Sequence, residues 1–475
     1  MTDVREAGAL DDAARITSTR AMPAAVESID LTADPDTDLL APYDAVLLLS
    51  YGGPTGPDDV LPFMRNATAG RGVPDSRLLE VSGHYQRFGG ASPINERNAE
   101  LLEALRAELA RRGSSVPVVI GNRNWHPFVS QALRELADAG ARRVLALTTS
   151  AYGSYSGCRQ YREDVSAALG QLESGTDGAT GQGPEADAVA RVGGRGGRPL
   201  GAQVPVVDKA RPYYNTPGML EANTDAIVAA YEELGAQGIA AQDVRLVFVT
   251  HSVPTSMEEG SAPRPGQGAP SPARPGAGPA GASGTAEPVV LEPGMSPDLS
   301  TEVSYVAQHE ALIEAIVPQV VQRLGLPRPP EHELVYCSRS GPPQARWLEP
   351  DINDRLEALA QEAPQGRVPV VVAPIGFVSD HMEVVFDLDT EARETAEALG
   401  MPYARAATAG THPAFVASLV DVLAERAAAA RGEAVRPTST TGLGPFHTVC
   451  PPDCCRPATG HGGHPGQGHA GTRGG

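Results

Sequence analysis

The segment Val368-Pro-Val-Val-Val-Ala-Pro-Ile-Gly-Phe-Val-Ser-Asp-His-Met-Glu383 decides the fold class of this chain. Its first residues, Val368 to Val372, form an apolar, β-branched run that predicts a buried strand. A glycine-containing turn follows, and then a stretch predicted to be helical. Glu383, Asp387 and Glu391 recur there at every fourth position, which places them along one helix face. Such a row is typical of a path for a hard cation, although acidic residues in a first turn also complement the helix dipole.

A second strand end carries a histidine. The apolar run Arg245 to Thr250 leads directly into His251-Ser-Val-Pro254. In open α/β sheets, ligands bind outside the carboxyl ends of the strands. We therefore expect His251 and Glu383 to converge on one cleft.

Strand and helix patterns alternate along the rest of the chain. Further strands are predicted at 45–49, 116–120, 143–147, 204–207 and 333–336, and helices at 98–112, 128–139, 219–234 and 302–324. This alternation predicts an α/β fold with parallel sheets and right-handed crossovers.

The composition excludes several classes of protein. The formal net charge of −20 disfavours nucleic-acid binding through a broad basic surface. No apolar run reaches the roughly 18 residues that a membrane span needs. The first residues lack the basic and apolar regions of a signal peptide, so we expect a cytoplasmic protein. Five cysteines in a reducing compartment favour ligands or bystanders over disulfides.

The length of 475 residues is enough for two core-bearing domains, but 52 glycines and 43 prolines are too many for a chain folded throughout. We predict a disordered segment at 1–40, a first domain at 41–205 and a second domain at 206–435. Gly- and Pro-rich insertions at 173–202 and 259–298 are predicted to be disordered, because they lack apolar surface to bury. A tail at 436–475 carries a cysteine cluster.

Six motifs in order resemble those of the ferrochelatase family, specifically the actinobacterial type that acts on coproporphyrin III. They are Leu47-Leu-Leu-Ser-Tyr-Gly-Gly-Pro54, Phe88-Gly-Gly-Ala-Ser-Pro-Ile94, Gly121-Asn-Arg-Asn-Trp125, Phe248-Val-Thr-His-Ser-Val-Pro254, Ser338-Arg-Ser-Gly-Pro-Pro343 with Trp347-Leu-Glu-Pro350, and Gly376-Phe-Val-Ser-Asp-His-Met-Glu383. The resemblance covers 41–165, 203–258 and 299–435. It implies two Rossmann-like domains, each a four-stranded parallel sheet flanked by helices, with a porphyrin cleft between them.

The resemblance also implies the reaction, which is insertion of Fe²⁺ into a porphyrin with release of two protons during haem biosynthesis. With coproporphyrin III, the product is Fe-coproporphyrin III (coprohaem), and the enzyme is a lyase-class metal chelatase. A protoporphyrin IX ferrochelatase, a cobalt or nickel chelatase, and a non-catalytic haem or iron–sulfur protein on the same fold are the alternatives. We expect a monomer that passes its product to the next haem-pathway enzyme.

His251 and Glu383 match the pair that handles iron and pyrrole protons in the family. A neutral imidazole suits iron as a ligand and titrates near neutrality, so it can accept a pyrrole proton. The alternative for His251 is a structural role at a strand end. Asp387 and Glu391 match the family's acidic line, a route for iron or protons, on a helix with a π-type distortion; a solvated helix face is their alternative.

Five residues match or extend the family's porphyrin contacts. Ser92 and Tyr161 correspond to tetrapyrrole-contacting positions, and Tyr51 corresponds to a tyrosine that ligates iron in some relatives or forms an aromatic wall. Tyr85 and Arg123 are added as further contacts. Arg123 follows a strand, and its guanidinium offers a planar fork to a propionate. The alternative for Arg123 is a surface ion pair.

Cys450-Pro-Pro-Asp-Cys-Cys455 places three thiols within six residues. A fourth ligand is needed for a metal site, and the sequence offers Cys158 or Cys337. By the resemblance, Cys158 joins Cys450, Cys454 and Cys455 in binding a [2Fe–2S] cluster, and Cys337 is a small buried hydrophobe. A zinc site or a tail with free thiols is the alternative.

Overall fold

A computed structural model describes residues 29, 31, 37–175, 204–261, 303–339, 345–363, 368–450 and 454–455. Within these ranges, the strands form two four-stranded parallel sheets. Helices flank both sheets, so the predicted α/β fold class is confirmed.

The first sheet has the order β2-β1-β3-β4. Its strands are β1 (Ala45–Ser50), β2 (Val118–Asn122), β3 (Arg143–Thr148) and β4 (Val206–Lys209). The second sheet has the order β6-β5-β7-β8. Its strands are β5 (Arg245–His251), β6 (His332–Cys337), β7 (Val370–Ala373) and β8 (Tyr403–Arg405).

The α-helices connect and cover these strands. They are α1 (Val60–Ala67), α2 (Asp75–Gln86), α3 (Ile94–Arg111), α4 (Val129–Asp138), α5 (Gln160–Ser174), α6 (Pro217–Ala236), α7 (Thr255–Ser261), α8 (Tyr305–Leu324), α9 (Ile352–Glu362), α10 (Arg393–Ala398) and α11 (Pro413–Ala430). Two π-helices, Tyr155–Arg159 and Val384–Ala392, begin just before α5 and α10. In the described residues, no helix has the length and apolar character needed to cross a membrane.

The strand order creates a crevice in each sheet. β5 lies between β6 and β7, and its register with β7 pairs Arg245 with Val370 and Phe248 with Ala373. After β5, the chain forms β6 on one side of β5 and then returns to form β7 on the other side. The direction of the strand connections therefore reverses between β5 and β7. Ligands bind at such switch points, outside the carboxyl ends of the strands.

One apolar core spans both sheets. Leu48 of β1 and Phe248 of β5 are fully buried and belong to the same contiguous cluster, together with residues of α6 and α11. Each strand of a parallel sheet is covered on both faces, which is why β1 is apolar at almost every position. The shared core fixes the two strand-end crevices relative to each other.

The predicted strands agree with the observed ones to within about two residues at each end. The sequence analysis missed β8, which has only three residues. It also missed α1, α2, α5, α7, α9 and α11. The helix predicted to carry the carboxylate row is a π-helix from Val384 onward, in line with the distortion that the family resemblance implied.

Three predicted boundaries need correction. Leu40, placed in the disordered first segment, is fully buried in the core, because Leu39 and Leu40 supply apolar surface there. Both predicted insertions begin inside helices, since α5 continues to Ser174 and α7 to Ser261. The remainder of these insertions, and most of residues 1–36, lies outside the described residues.

The tail from 436 to 450 is held to the folded body by hydrogen bonds. Asn215 donates to the Gly444 carbonyl oxygen at 2.7 Å, and the Thr440 backbone N–H donates to the Asn215 carbonyl oxygen at 2.8 Å. Thr448 donates to the Glu425 carboxylate at 2.7 Å. The low apolar content of this segment was therefore a poor guide, because polar contacts order it.

Candidate active site and cysteine site

The two residues singled out first by the sequence meet at the second switch point. His251 is the last residue of β5, and Glu383 caps the π-helix that follows β7. His251 Nε2 lies 3.5 Å from Glu383 Oε2. Their side chains are 30% and 43% exposed, so they line a cleft that solvent reaches.

Hydrogen bonding fixes the orientation of the His251 ring. Its Nδ1 donates to the Ser252 carbonyl oxygen at 2.5 Å, because a carbonyl can only accept. Nε2 is thereby left to face Glu383 and the cleft. A neutral imidazole in this orientation presents its lone pair to a metal ion or a proton donor.

The charges of this pair stabilise each other. Burial lowers the pKa of His251, but the Glu383 carboxylate more than offsets this effect, and the His251 pKa lies above its ordinary value of 6.5. Burial raises the pKa of Glu383, whereas His251 lowers it more strongly, to about 2. Glu383 is therefore a carboxylate throughout the neutral range, and His251 is poised to exchange a proton.

His381 belongs to the same site, although sequence reasoning assigned it no role. The Glu383 backbone N–H donates to His381 Nδ1 at 3.2 Å. Burial lowers the pKa of His381, so its ring is neutral and can accept this hydrogen bond. The signal was its place two residues before Glu383 in the same motif.

Asp387 lies one turn beyond Glu383 and accepts a hydrogen bond from Ser338. Burial raises the pKa of Asp387 to about 7, and the nearby Glu383 and Glu391 charges add to this effect. Glu391 is exposed, at the far end of the π-helix. The three carboxylates thus run from the cleft to solvent, with a titratable group in the middle.

A group of aromatic side chains lies near this pair. Phe63 lies between Tyr51 and Tyr85, with ring centroids 6.2 Å and 6.0 Å away. Burial raises the pKa of both tyrosines, and the Glu383 charge raises it further, so both hydroxyls lie within electrostatic range of the carboxylate. Tyr51 is 39% exposed, which leaves its ring open to a ligand.

Arg123 lies beside this aromatic group. Its guanidinium is 4.7 Å from the Tyr161 ring centroid and 5.8 Å from that of Tyr51. Asp164 pairs with it at 2.6 Å, and the Arg123 side chain is only 9% exposed. The ion pair considered from the sequence is present, but it is buried rather than on the surface.

Ser92 and Tyr161 expose little surface, at 8% and 4%. Ser92 packs on the turn after β1, where a Cβ added at Gly53 would come within 2.6 Å of the Ser92 Cβ. Tyr161 belongs to the core beneath β1 and β3. The structure therefore places His251, Glu383, Asp387, Tyr51 and Tyr85 near one another. Arg123 lies between Tyr51 and Tyr161, and Ser92 packs on the turn after β1.

The cysteines form a separate site. Cys158 lies on the π-helix after β3, and its pKa is lowered by hydrogen bonds from Cys450 and Cys455 and by the nearby Lys209 ammonium. The sulfur atoms of Cys454 and Cys455 are 3.5 Å apart. All of these thiols are free of disulfides. The four thiols chosen by resemblance thus lie close together, and thiolate sulfur is a ligand for zinc and for iron–sulfur clusters.

His447 also reaches this site and was missed from the sequence. Its Nε2 lies 3.6 Å from Cys454 Sγ, and ligand atoms of His447, Cys450 and Cys454 all lie within 4.8 Å of one another. The spacing His-x2-Cys was the available signal. Lys209, at the end of β4, is a second neighbour that only the fold could reveal.

Cys337 lies elsewhere, in the core of the second sheet. Burial raises its pKa, and its sulfur lies 3.4 Å from the Ser338 hydroxyl oxygen. This thiol is therefore neutral and remote from the cysteine site.

Comparison with known proteins gives the chain its family. A model of the ferrochelatase family matches residues 43–181 and 186–427. A Streptomyces coelicolor protein named Coproporphyrin III ferrochelatase is 44% identical over 421 residues, which are 89% of this chain and 95% of that one. A Streptomyces griseus protein of the same name is 45% identical over 87% of this chain and 94% of that one. SirB from Bacillus subtilis with Fe3+ is similar at a TM-score of 0.39 and 11% identity, over 82% of this chain and 98% of that one.

The family model spans most of both sheets and includes His251, Glu383 and the motifs around them. The identity to the two Streptomyces proteins extends over nearly their whole length. The resemblance stated from six motifs is confirmed, and the chain belongs to the ferrochelatase family of metal-inserting enzymes.

Proposed function

We propose that this chain inserts Fe²⁺ into coproporphyrin III and releases Fe-coproporphyrin III and two protons. The observation that carries the proposal is the contact between His251 and Glu383, which face the Tyr51 and Tyr85 rings across one cleft. The choice of coproporphyrin III is supported by the names of the two Streptomyces relatives. Protoporphyrin IX is the rival substrate.

In this reaction, His251 accepts a pyrrole proton through Nε2, since its Nδ1 is committed to the Ser252 carbonyl oxygen. Glu383 supplies a permanent negative charge that attracts the ferrous ion and stabilises the imidazolium formed on His251. Two jobs, metal capture and proton acceptance, are thereby divided between neighbouring groups.

Asp387 then receives or passes on protons at neutral pH, because its pKa is about 7. Its position between Glu383 and the exposed Glu391 supports a route to solvent for protons, or an entry route for iron. Ser338 holds the carboxyl in place.

The porphyrin plane lies on the Tyr51 and Tyr85 rings, whose faces provide apolar contact. Tyr51 either ligates iron in the product or acts only as a wall. Arg123 and Tyr161 steady the Tyr51 ring from behind, and the buried ion pair with Asp164 leaves little of the Arg123 charge for a propionate. Ser92 is largely buried, so the substrate contacts only the exposed edge of its hydroxyl group.

An anaerobic metallation assay with Fe²⁺ tests the proposal, with coproporphyrin III and protoporphyrin IX offered to the same preparation. Faster turnover of coproporphyrin III is expected. Faster turnover of protoporphyrin IX would overturn the substrate assignment. Undiminished metallation by a His251→Ala variant would overturn the role of His251.

The four converging thiols would hold a [2Fe–2S] cluster, with Cys158, Cys450, Cys454 and Cys455 as ligands. Such a cluster supplies one-electron redox chemistry, which the metallation itself does not use. Cys158 anchors the tail to the first domain, and Arg159 donates to the Cys454 carbonyl oxygen at 3.3 Å. His447 favours the rival reading of a zinc site, since it adds a nitrogen ligand.

The chain is further proposed to act as a cytoplasmic monomer that hands its product to the next haem-pathway enzyme. Sedimentation of the purified protein at several concentrations checks the oligomeric state. A mass above that of one chain would contradict the monomer.

A further inference from the structure

Directly behind His251, a buried group of three side chains forms a closed hydrogen-bonded ring. Thr250 and His309 are fully buried, and Tyr305 is 7% exposed. Thr250 Oγ1 lies 2.7 Å from the Tyr305 hydroxyl oxygen and 2.9 Å from His309 Nε2. His309 Nδ1 lies 2.7 Å from the Tyr305 carbonyl oxygen, which closes the ring.

The direction of each hydrogen bond follows from its neighbour. The Tyr305 carbonyl can only accept, so His309 Nδ1 carries the proton. Burial lowers the pKa of His309 to about 3, and its Nε2 is therefore a bare acceptor. The Thr250 hydroxyl must donate to Nε2, and its oxygen accepts from the Tyr305 hydroxyl. Every donor in the ring thus has a hydrogen-bond acceptor.

This ring touches His251 in two ways. Thr250 is its neighbour in β5, and the Tyr305 hydroxyl also lies 3.3 Å from the His251 carbonyl oxygen. The His309 ring is stacked on Tyr152, with centroids 3.7 Å apart and planes within 9°. This stacking holds the His309 imidazole in place, and the hydrogen bonds of the group connect it to the backbone at His251.

The ring also abuts the segment that leads to Glu383. A Cβ added at Gly376, in the turn after β7, would come within 2.7 Å of the Thr250 Cα. The backbone of that turn can approach β5 only because residue 376 has no side chain. Strand β5, helix α8 and the turn before Glu383 therefore meet at Thr250.

We infer that Thr250, Tyr305 and His309 are positioning residues for metallation, which hold His251 at its working distance from Glu383 and the porphyrin. The inference rests on the proposed function of His251. None of the three side chains touches substrate in this scheme. A displacement of the reacting group of about 1 Å can cost as much as roughly a hundredfold in rate, so a modest relaxation of the ring is enough to be measured.

The test compares isosteric and conservative variants in the anaerobic metallation assay. Thr250→Val keeps the shape of the side chain and removes the hydroxyl, and we expect kcat to fall about tenfold with the KM for coproporphyrin III unchanged. Thr250→Ser restores the hydroxyl, and kcat should return to within about twofold of the wild-type value. Thr224→Val is the matched control, because Thr224 is equally buried but donates only to the Leu220 carbonyl oxygen in α6.

A second variant shows whether the three side chains act as one hydrogen-bonded unit or as independent contacts. Tyr305→Phe removes one oxygen atom, and it should lower kcat by a similar factor. The double variant with Thr250→Val should lose little more than either single one, because the ring is broken once. Near-ultraviolet circular dichroism and quenching of coproporphyrin fluorescence show whether each variant folds and binds.

The outcomes are distinguishable from a failure of the proposed function. Full activity of His251→Ala would remove the basis for both. Loss of activity in His251→Ala, with Thr250→Val and Tyr305→Phe at the wild-type kcat, would overturn the positioning inference alone. The same follows if neither ring variant folds, since the ring would then be a requirement of the fold.

Discussion

His251 Nε2 and Glu383 Oε2 lie 3.5 Å apart, although the two residues follow different strands. Because β5 and β7 are adjacent and parallel, their carboxyl ends meet at one edge of the sheet. In this pair, His251 exchanges a proton and Glu383 carries a permanent charge. Both properties can be tested on the protein without substrate.

Histidine titration followed by nuclear magnetic resonance checks the electrostatics. His251 should titrate above pH 6.5, because the Glu383 charge stabilises its protonated form. Glu383→Gln removes this charge and should lower the His251 midpoint. His309 provides the internal control, since its pKa of about 3 keeps it neutral throughout. A His251 midpoint that is the same in both proteins would contradict the coupling.

The same pKa gives a sign to the pH dependence of metallation. Only deprotonated His251 accepts a pyrrole proton, so kcat/KM should rise with pH through the His251 midpoint. The rise should therefore be centred above pH 6.5. A rate that falls with pH between 6 and 8 would exclude His251 as the proton acceptor.

Asp387→Asn should stabilise the protein at high pH. The pKa of Asp387 is about 7 in the folded protein and 3.8 in an ordinary environment, so between these values only the folded state binds the proton. Stability contributed by this proton is complete below pH 3.8 and is lost as the pH rises through about 7. Asparagine keeps the acceptor for Ser338 and removes the buried charge.

For Asp387→Asn, thermal unfolding should show a gain of roughly 1 to 2 kcal/mol at pH 8, after allowance for solvent access to the site. At pH 4 the variant and the wild type should unfold alike. Asp354→Asn, on the surface side of α9, controls for a general effect of net charge. Equal gains at both pH values would contradict the assigned pKa.

Replacement of single cysteines identifies the ligands of the cysteine site. Purified protein should show a visible absorption band and about two irons per chain, both lost in Cys158→Ser and in Cys454→Ser. Cys337→Ser is the matched control, because this thiol lies in the core of the second sheet. One zinc per chain, with no visible band, would contradict the cluster and favour a site that includes His447.

Gly376→Ala should disturb both stability and catalysis. The new methyl group would approach the Thr250 Cα to 2.7 Å, and a backbone atom cannot move aside as a side chain can. We expect a loss of roughly 1 to 3 kcal/mol in the free energy of unfolding, together with a lower kcat. Gly56→Ala is the control, since a Cβ there meets nothing within 4 Å. A Gly376→Ala variant with wild-type kcat would argue against close packing at Thr250.

The sequence predicted the parts of this molecule that depend on local pattern. The β-branched runs before His251 and Glu383 predicted two buried strands. Because ligands bind outside the carboxyl ends of such strands, the two residues were predicted to lie in one cleft. The six motifs identified the family. The thiols could be grouped only with the help of the resemblance, because the sequence offers both Cys158 and Cys337 as the fourth ligand.

Features that depend on packing between distant elements were beyond sequence reasoning. His309 reads as one position of an amphipathic helix, and only the placement of α8 against β5 shows its bond to Thr250. Arg123 was predicted to offer its guanidinium to a propionate, with a surface ion pair as the alternative, and its burial required α5 to bring Asp164 to it. The tail has no hydrophobic period, so its order could not be predicted from the sequence. Hydrogen bonds hold it to the folded body, and such bonds produce no periodic pattern in the sequence.

The thiols of the cysteine site come from distant parts of the chain, so the site forms only when the C-terminal segment is present. Cys158 is translated with the first sheet, whereas Cys450, Cys454 and Cys455 emerge only after both sheets have been made. Cleavage after α11 would retain His251 and Glu383 and would remove three of the four thiols. With the proposed cluster bound, the colour of a preparation would then measure the fraction of chains whose C-terminal segment is intact.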